Sequence, residues 1–248
     1  GVVTVNTTSL VVDGDVGSIP GLIADPGPDG HISFPEVMEA VRRTAWYTIT
    51  FNLPHGATIN LERTLYLRGG HHIVIDGDVN GDGAPDVVIN APGEGEISLA
   101  IMSDHNVIRN LVISGLSIYS LGAYDNRVVG CYIGTDVEGR TANSSGIGIE
   151  VGQGAWNNVI GGTDPADRNI IAGNTSANFT GVGVALFFGG WNNQVIGNWI
   201  GVNVDGDPLP NEIAVLLWDG ASNTSLRLDT AYNVIGGERT SVGCDGPC

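Results

Sequence analysis

The sequence predicts an all-β protein built as a parallel β-helix. Residues 124–140 (YDNRVVGCYIGTDVEGR) and residues 191–207 (WNNQVIGNWIGVNVDGD) repeat one pattern of Asn, Val, Ile and Gly. Shorter copies lie at residues 156–162 and 232–237. A repeated unit buries its apolar face by stacking on its neighbours, and the coils of a β-helix stack about 4.8 Å apart. A β-sandwich has no reason to repeat its sequence, so the repeats favour the β-helix.

The N-terminal residues predict a strand, a loop and a capping helix. Residues 1–12 alternate apolar and polar side chains and then become apolar, which is typical of a strand. Residues 13–32 are rich in Gly, Pro and Asp and predict a loop. Ser33 and Glu36 form a capping box that begins a helix over about residues 34–45. We expect this single helix to cover one end of the stack and seal its apolar interior.

From residue 47 onward, short runs of apolar β-branched residues alternate with Gly and Asn. This pattern predicts strands that are buried on one face, and no helical pattern separates them, which excludes a doubly wound or TIM-type sheet. The chain therefore divides into an N-terminal unit over residues 1–46 and one continuous β-helix over residues 47–248. Cys131 is expected to be a small buried apolar side chain. Cys244 and Cys248 are compatible with a disulfide loop, a bond to another chain or free thiols.

Four Asn residues recur at or next to the start of a Val/Ile pair. Their repetition predicts a ladder in which side-chain amides bond from coil to coil at one corner. The alternative is that Asn recurs only because it tolerates the backbone conformation of a turn. The four residues are Asn126, Asn158, Asn193 and Asn233.

The charge composition restricts the partners. The formal net charge is −17, and all ten basic residues are Arg, because the sequence contains no Lys. Nucleic acids and anionic membranes are polyanions that such a chain repels, and no segment is long and apolar enough to predict membrane insertion. An excess of Asp in Gly-rich loops suits hard cations instead.

Two acidic loops predict calcium as the cofactor. In the first, DGDVNGDGAPDVV at residues 76–88, oxygen ligands stand at alternate and then wider positions around Gly83, as in dockerin and integrin-propeller calcium loops. The alternative is an Asp/Gly-rich turn without a metal. The second loop, at residues 25–36, matches several positions of an EF-hand loop, and a weaker third candidate is the acidic stretch Asp205–Asp207. The predicted ligands are Asp78, Asn80, Asp82 and Asp86 in the first loop, and Asp25, Asp29 and Glu36 in the second.

Catalytic residues are not predicted. A polysaccharide lyase usually needs a Lys or Arg base beside a cation, and here Lys is absent and the Arg residues are scattered. Clustered carboxylates of a polygalacturonase-like hydrolase are also missing. His71 and His72 are consecutive and are expected to face opposite sides of a strand, and Asp104–His105 is expected to be a solvated pair.

Two stretches carry a resemblance to known proteins. NVIGGTDPADRNIIAGN with NNQVIGNWIG and VDGDPLPN resembles the repeats of bacterial secreted right-handed parallel β-helix proteins. DPGPDGHISFPEVMEAVRRTA, with TITFNLPHGATINL and HHIVIDGD, is similar to the start of CSLREA-type β-helix proteins of bacterial surfaces. The resemblance covers nearly the whole chain and implies a right-handed coil and an extracellular or cell-surface location. It implies no particular activity.

Two classes of function follow. The first is a non-catalytic extracellular structural or adhesive protein, stabilised by calcium, whose copies associate head to tail through the β-helix ends into filaments. In that hypothesis the free strand at residues 1–12 pairs with the open end of the next subunit. The alternative is a carbohydrate-active or carbohydrate-binding protein acting on extracellular polysaccharide. Its aromatic platforms would be Trp156, Trp191, Trp199, Trp218 and Tyr232, unless these residues only pack at the corners of the coil, as the recurrence of Tyr124 and Trp191 at one repeat position suggests.

Overall fold

The computed structural model describes residues 1–143, 146–178 and 180–217, together with the backbone of residues 225–227 and 234–235. These residues form a right-handed parallel β-helix with three sheets, so the predicted fold class is confirmed. Each coil contributes one strand to each sheet in turn, and all strand pairs within the sheets are parallel.

The strands are numbered β1 to β21 along the chain. The eight-stranded sheet contains β1 (Val2–Val5), β2 (Thr48–Phe51), β5 (Val74–Asp76), β8 (Val107–Arg109), β11 (Arg127–Val129), β14 (Val159–Gly161), β17 (Gln194–Ile196) and β20 (Ser225–Arg227). The seven-stranded sheet contains β3 (Ala57–Asn60), β6 (Val87–Asn90), β9 (Leu111–Ile113), β12 (Tyr132–Ile133), β15 (Ile170–Ile171), β18 (Trp199–Ile200) and β21 (Val234–Ile235). The six-stranded sheet contains β4 (Leu65–Leu67), β7 (Leu99–Ile101), β10 (Leu116–Tyr119), β13 (Ile147–Gly152), β16 (Val182–Leu186) and β19 (Ile213–Leu217).

The core is an apolar column that runs along the inside of the coils. In the eight-stranded sheet the register stacks the inward-facing aliphatic side chains of successive coils on one another, and these side chains are buried. Burying an aliphatic side chain of this size contributes about 1.5–3 kcal/mol, so the repeated column supplies much of the stability. The inward row of this sheet is Ile49, Ile75, Ile108, Val128, Ile160 and Val195.

The N-terminal end of the column is covered by two helices. Helix α1 (Ile19–Ala24) and helix α2 (Phe34–Ala40) are both short, and a 3-10 turn at Val41–Arg43 follows α2. The capping box of Ser33 and Glu36 is confirmed. Phe34 is fully buried, and its ring centroid lies 5.6 Å from that of Phe51 on β2, so α2 packs on the first coil as predicted.

Three details of the N-terminal prediction are wrong. The strand ends at Val5 rather than at residue 12, and α2 ends before the 3-10 turn rather than at residue 45. The stretch predicted as a loop contains α1, which is capped by the Ser18 side chain and buries Ile19 and Leu22. Helix α1 forms because it has an apolar surface to cover, and this tertiary contact is not visible in six residues that include Pro and Gly.

The first strand is not detached from the rest of the β-helix. β1 pairs with β2 over its whole length, and Val3 and Val5 are buried in the same core as Phe34. The prediction of an unpaired N-terminal strand is therefore wrong, because the strand forms the first rung of its own sheet.

The asparagine ladder is confirmed in the described part of the chain. Asn126 accepts hydrogen bonds through Oδ1 from the backbone and the side chain of Asn106, and its Nδ2 donates to Oδ1 of Asn158. Asn158 donates in the same way to Asn193, whereas Asn233 lies outside the described residues. The left-handed backbone of the corner belongs to the preceding residues, Asp125 (φ 54°), Asn157 (φ 58°) and Asn192 (φ 54°). The ladder is thus formed by one residue of each corner, and the left-handed turn conformation is adopted by the residue before it.

Two shorter ladders stabilise other corners. Asn169 donates from Nδ2 to Oδ1 of Asn198 at 2.8 Å, and Asn174 donates to Oδ1 of Asn211 at 2.8 Å. Cys131 is fully buried beside the first of these ladders, and its backbone N–H donates to Oδ1 of Asn169. Each ladder satisfies backbone groups at a turn, where the sheet hydrogen bonds stop.

Candidate functional site

The first acidic loop, residues 76–88, connects β5 to β6 on the surface. Asp78 accepts hydrogen bonds from two backbone N–H groups further along the loop, at 2.6 and 2.9 Å. Asn80 and Asp82 each accept from the N–H two residues on, at 2.8 and 2.9 Å. The loop is therefore held in shape by its own side-chain oxygens, which belong to residues that are exposed or half-buried.

Asp86, the last predicted ligand of this loop, is buried and anchors the loop to β6. Its Oδ2 accepts from the N–H groups of Val79 and Asn80, and its Oδ1 lies 2.5 Å from Nδ1 of His55. Burial opposes ionisation, but the hydrogen bonds from His55 and from the backbone outweigh it and hold the pKa of Asp86 below its usual value. Both oxygens of Asp86 are thus already engaged by protein donors.

His55 links the acidic loop to the next coils. Its Nε2 lies 3.3 Å from Oε1 of Glu138, so the ring bridges two carboxylates. The hydrogen bond to Asp86, followed by that to Glu138, raises the pKa of His55 above its ordinary value. The three residues form an ion-pair cluster, which favours the charged imidazole.

In the second acidic loop, backbone N–H groups engage the carboxylates of the predicted ligands. Asp25 and Asp29 accept hydrogen bonds from backbone N–H groups two residues on. Glu36 is 1% exposed, and its two oxygens accept from the N–H groups of Asp13, Gly14 and Ser33. The capping box and the preceding loop therefore engage the Glu36 carboxylate fully.

One carboxylate of the third acidic stretch forms an ion pair. Nε of Arg140 lies 2.8 Å from Oδ2 of Asp205, which joins two loops from different coils. Within the described residues, no group of three or more His, Cys, Asp or Glu side chains is arranged to hold a metal ion.

Six aromatic side chains stack along one corner of the β-helix, and we call them the aromatic column. Four of its five contacts are face-to-face stacks, with ring centroids 3.8 to 4.9 Å apart. His105 and Tyr124 meet edge to face at 5.5 Å, where the column shifts by one residue along the chain. The members are Trp46, His72, His105, Tyr124, Trp156 and Trp191.

The histidines at this corner differ from their predicted placement. His71 and His72 do not face opposite sides of a strand, because His72 has a left-handed backbone (φ 55°) and the strand begins only at Val74. Their Nδ1 atoms lie 3.3 Å apart. Asp104 and His105 pair at 2.8 Å, and His105 is also stacked on His72. The corner turn, which breaks the strand alternation, explains the difference.

The contacts of the aromatic column favour a packing role at the corner of the β-helix over a role as a platform for sugar rings. A sugar ring binds an aromatic side chain by lying on its face, but both faces of Trp156 are covered by Tyr124 and Trp191. Trp199 is covered on one face by the guanidinium of Arg168, whose Cζ lies 4.6 Å from the ring centroid. The two remaining predicted platforms, Trp218 and Tyr232, lie outside the described residues.

A shallow groove of about 340 Å³ lies on the outer face of the six-stranded sheet, and we call it the sheet groove. One outward residue from each of β4, β7, β10 and β13 forms a row across it in the strand register: Tyr66, Ala100, Ser117 and Glu150. The two small residues form the floor, and the two large ones form the ends of the row. Tyr119, Thr64, Glu96 and Gln153 complete the polar lining.

The polar groups of the sheet groove are connected. Oγ of Ser117 donates to Oε1 of Glu150 at 2.6 Å, and burial raises the pKa of Glu150 despite this hydrogen bond. The guanidinium of Arg68 lies 4.1 Å over the ring of Tyr66. Burial raises the pKa of Tyr119, whose hydroxyl interacts with Tyr66 and Arg68. The groove thus presents hydroxyl, carboxyl and amide groups on a rigid sheet.

Sequence reasoning did not identify the sheet groove. Its residues differ from coil to coil, so they carry no repeat signal. The available signal was the alternation within each strand: Tyr66, Ala100 and Ser117 each lie between two apolar residues and therefore point outward. Their alignment into one row requires the register, which the unequal lengths of the loops conceal.

Comparison with known proteins gives one local similarity. Residues 73–103 match the FG-GAP repeat family model, and this stretch spans one coil, β5 to β7, including the first acidic loop. No significant match was found among curated proteins or among solved structures. FG-GAP repeats occur in extracellular and adhesion-type proteins. None of the helices in the described part of the chain is long and apolar enough to cross a membrane.

Proposed function

We propose that this chain is an extracellular structural or adhesive β-helix whose first acidic loop binds calcium. The observation that carries the proposal is the FG-GAP similarity, which falls on the coil that holds this loop. The rigid scaffold is compatible with a structural role, since buried ladders and an apolar column fix each coil on the next. Strong negative charge favours solubility and cation binding over contact with polyanions.

The calcium part of the proposal rests on Asp78, Asn80 and Asp82. Carboxylate and amide oxygens are the ligands that calcium prefers, and these three stand at alternate positions of one exposed loop. In the conformation described, their oxygens accept hydrogen bonds from the loop backbone, so binding requires the side chains to turn toward the ion. Asp86 would act as the anchor of the loop, since both of its oxygens are engaged.

Calorimetry and thermal unfolding with calcium test this site. A ligand that binds only the folded state adds about 2.7 kcal/mol of stability at a free concentration one hundred times its Kd. We expect calcium to raise Tm and the Asp78→Ala variant to lose most of that increase. Glu62→Ala, which removes an exposed carboxylate outside all three acidic stretches, is the matched control. The calcium proposal fails if calcium leaves Tm unchanged or if both variants respond alike.

The extracellular location has its own test. An antibody against the folded chain, applied to intact cells of the source, should label their surface or detect the protein in the medium. Brief treatment of intact cells with an added protease should remove the surface signal while a cytoplasmic marker survives. Detection only after cell lysis would contradict the proposed location.

Association of copies through the β-helix ends stays a prediction. At the N-terminal end, α1 and α2 cover the core of the first coil, and β1 is the edge strand of the eight-stranded sheet. Light scattering of the purified chain over a range of concentrations, followed by electron microscopy, measures assembly directly. A monomer at every concentration would remove this part of the hypothesis.

A further inference from the structure

The shape of the sheet groove suits an extended chain lying along the β-helix axis. Neighbouring strands lie about 4.8 Å apart, so the row from β4 to β13 spans about 14 Å. The small side chains of Ala100 and Ser117 form a depression between Tyr66 and Glu150. Gly152 stands beside Tyr119 in the next row, where a Cβ would lie 2.7 Å from the backbone oxygen of Phe187. A shallow groove on successive coils accommodates a polymer better than a compact ligand.

The chemistry of the lining suits a ligand rich in hydroxyl groups. Tyr66, Tyr119, Thr64 and Gln153 carry hydroxyl or amide groups that donate or accept hydrogen bonds. Glu150 accepts one hydrogen bond from Ser117 through Oε1, and its other oxygen has no hydrogen-bond partner among the described residues. Because burial raises the pKa of Glu150, its carboxyl group holds a proton more readily than an exposed one and is then also a donor.

The charge of the groove argues against an acidic ligand. Glu96 lines it, and Arg68 at its edge is engaged with Tyr66 and Tyr119. The whole chain carries a net charge of −17. A polyanion such as a polyuronate would meet like charges both at the groove and at long range.

A peptide strand does not fit this surface by strand addition. Such binding requires an exposed sheet edge with unpaired backbone groups. The groove lies on the face of the sheet, where β7 and β10 each have a strand on both sides. Recognition must therefore use side chains, as in the hydrogen bonding of sugar hydroxyls.

We propose that the sheet groove binds a neutral glycan, with Tyr66, Ser117, Tyr119 and Glu150 as the main contacts. Nothing in the calcium proposal or in the location of the protein is needed for this inference, since binding is a property of the purified chain. The proposed site also differs from the aromatic platforms considered above, because it lies on the face of a sheet and not at the corner that holds the aromatic column.

Isothermal titration calorimetry tests the groove with four hexasaccharides. Three are neutral, built of β-1,4-linked glucose, α-1,4-linked glucose or β-1,4-linked N-acetylglucosamine, and the fourth is built of α-1,4-linked galacturonate. We expect at least one neutral probe to bind and the galacturonate probe not to bind. Ala100→Leu, which fills the floor, and Glu150→Leu, which removes both oxygens of the side chain, should each weaken binding at least tenfold.

Two control variants separate loss of the site from loss of the fold. Val107→Leu adds bulk on the eight-stranded sheet, and Glu62→Gln removes an exposed carboxylate elsewhere, so both should bind as the parent does. Circular dichroism and Tm of all variants establish that they are folded. The proposal is overturned if no neutral probe binds, if only galacturonate binds, or if the two groove variants bind as tightly as the controls.

Discussion

The buried asparagine ladder gives the most demanding test of the fold. Asn126 is fully buried, and its side chain connects three coils through hydrogen bonds to Asn106, Ser103 and Asn158. Replacing it by Leu keeps the branched shape of the side chain and leaves no cavity, but removes every one of these bonds. The change therefore isolates hydrogen bonding from the effect of a cavity.

The expected loss of unfolding free energy in Asn126→Leu follows from the polar groups that lose their hydrogen-bond partner. The backbone N–H of Asn106 and the carbonyl oxygen of Ser103 are both left without the bond that Asn126 provides. A buried polar group left unsatisfied costs about 1–3 kcal/mol, so the expected loss of unfolding free energy is roughly 2–6 kcal/mol. The Oδ1 atom of Asn158 also loses a hydrogen bond, but it stays satisfied because it still accepts from the backbone N–H of residue 126.

Urea unfolding followed by circular dichroism measures this loss. The control is Asn60→Leu, which removes an exposed amide pair with Asn90 on the seven-stranded sheet and should cost less than about 0.5 kcal/mol. A loss below about 1 kcal/mol for Asn126→Leu, with an unchanged m-value, would refute the view that the ladder stabilises the coil stack.

Three further predictions concern the cluster at His55, the thiol of Cys131 and the N-terminal cap. Because the pKa of His55 is raised in the folded protein, its contribution to the free energy of unfolding is fully present below the unfolded pKa of about 6.5. This contribution is lost as pH rises through the folded pKa. Asp86 has a lowered pKa, so its contribution to the free energy of unfolding is lost in acid, below about pH 4. His55→Ala should therefore lower stability by under about 1 kcal/mol at pH 5.5, because the ring is half exposed, and by less at pH 9; equal losses in urea unfolding at both pH values would contradict the ion pair. Burial raises the pKa of Cys131 to about 12, so a maleimide should leave its peptide unmodified in the native protein and label it in urea, as read by mass spectrometry. Phe34→Ala should cost about 3–5 kcal/mol in the same unfolding assay, because the cap loses its largest buried side chain, and a cost below 1 kcal/mol would indicate that the cap is dispensable.

The repeats made the fold predictable because stacked coils place equal residues above each other. Asn126, Asn158 and Asn193 share one repeat position in the sequence and form one ladder in the structure. Cys131 was predicted to be buried, and it is. The three ladder positions could be recognised from the repeat, since each coil repeats the environment of the previous one.

Features that depend on contacts across the fold were not predictable in this way. Helix α1 exists because Ile19 and Leu22 cover the first coil, and its six residues carry only a weak helical signal. The sequence marks Glu36 both as a capping residue and as a calcium ligand, and only the structure reveals three backbone donors on its carboxylate. Ligand type can be derived from a sequence, whereas the availability of each oxygen depends on its neighbours.

The six-stranded sheet separates stability from recognition within the same strands. Across β4, β7, β10 and β13 the inward row is Leu65, Leu99, Leu116 and Ile149, all buried and nearly uniform. The outward row one residue further along each strand is Tyr66, Ala100, Ser117 and Glu150, which differ in size and polarity. Uniform packing requires the inward row to repeat, but nothing in the stacking of coils constrains the outward row. A surface free of the repeat is therefore where this fold can acquire a specific ligand, and the groove variants test that consequence without disturbing the column beneath.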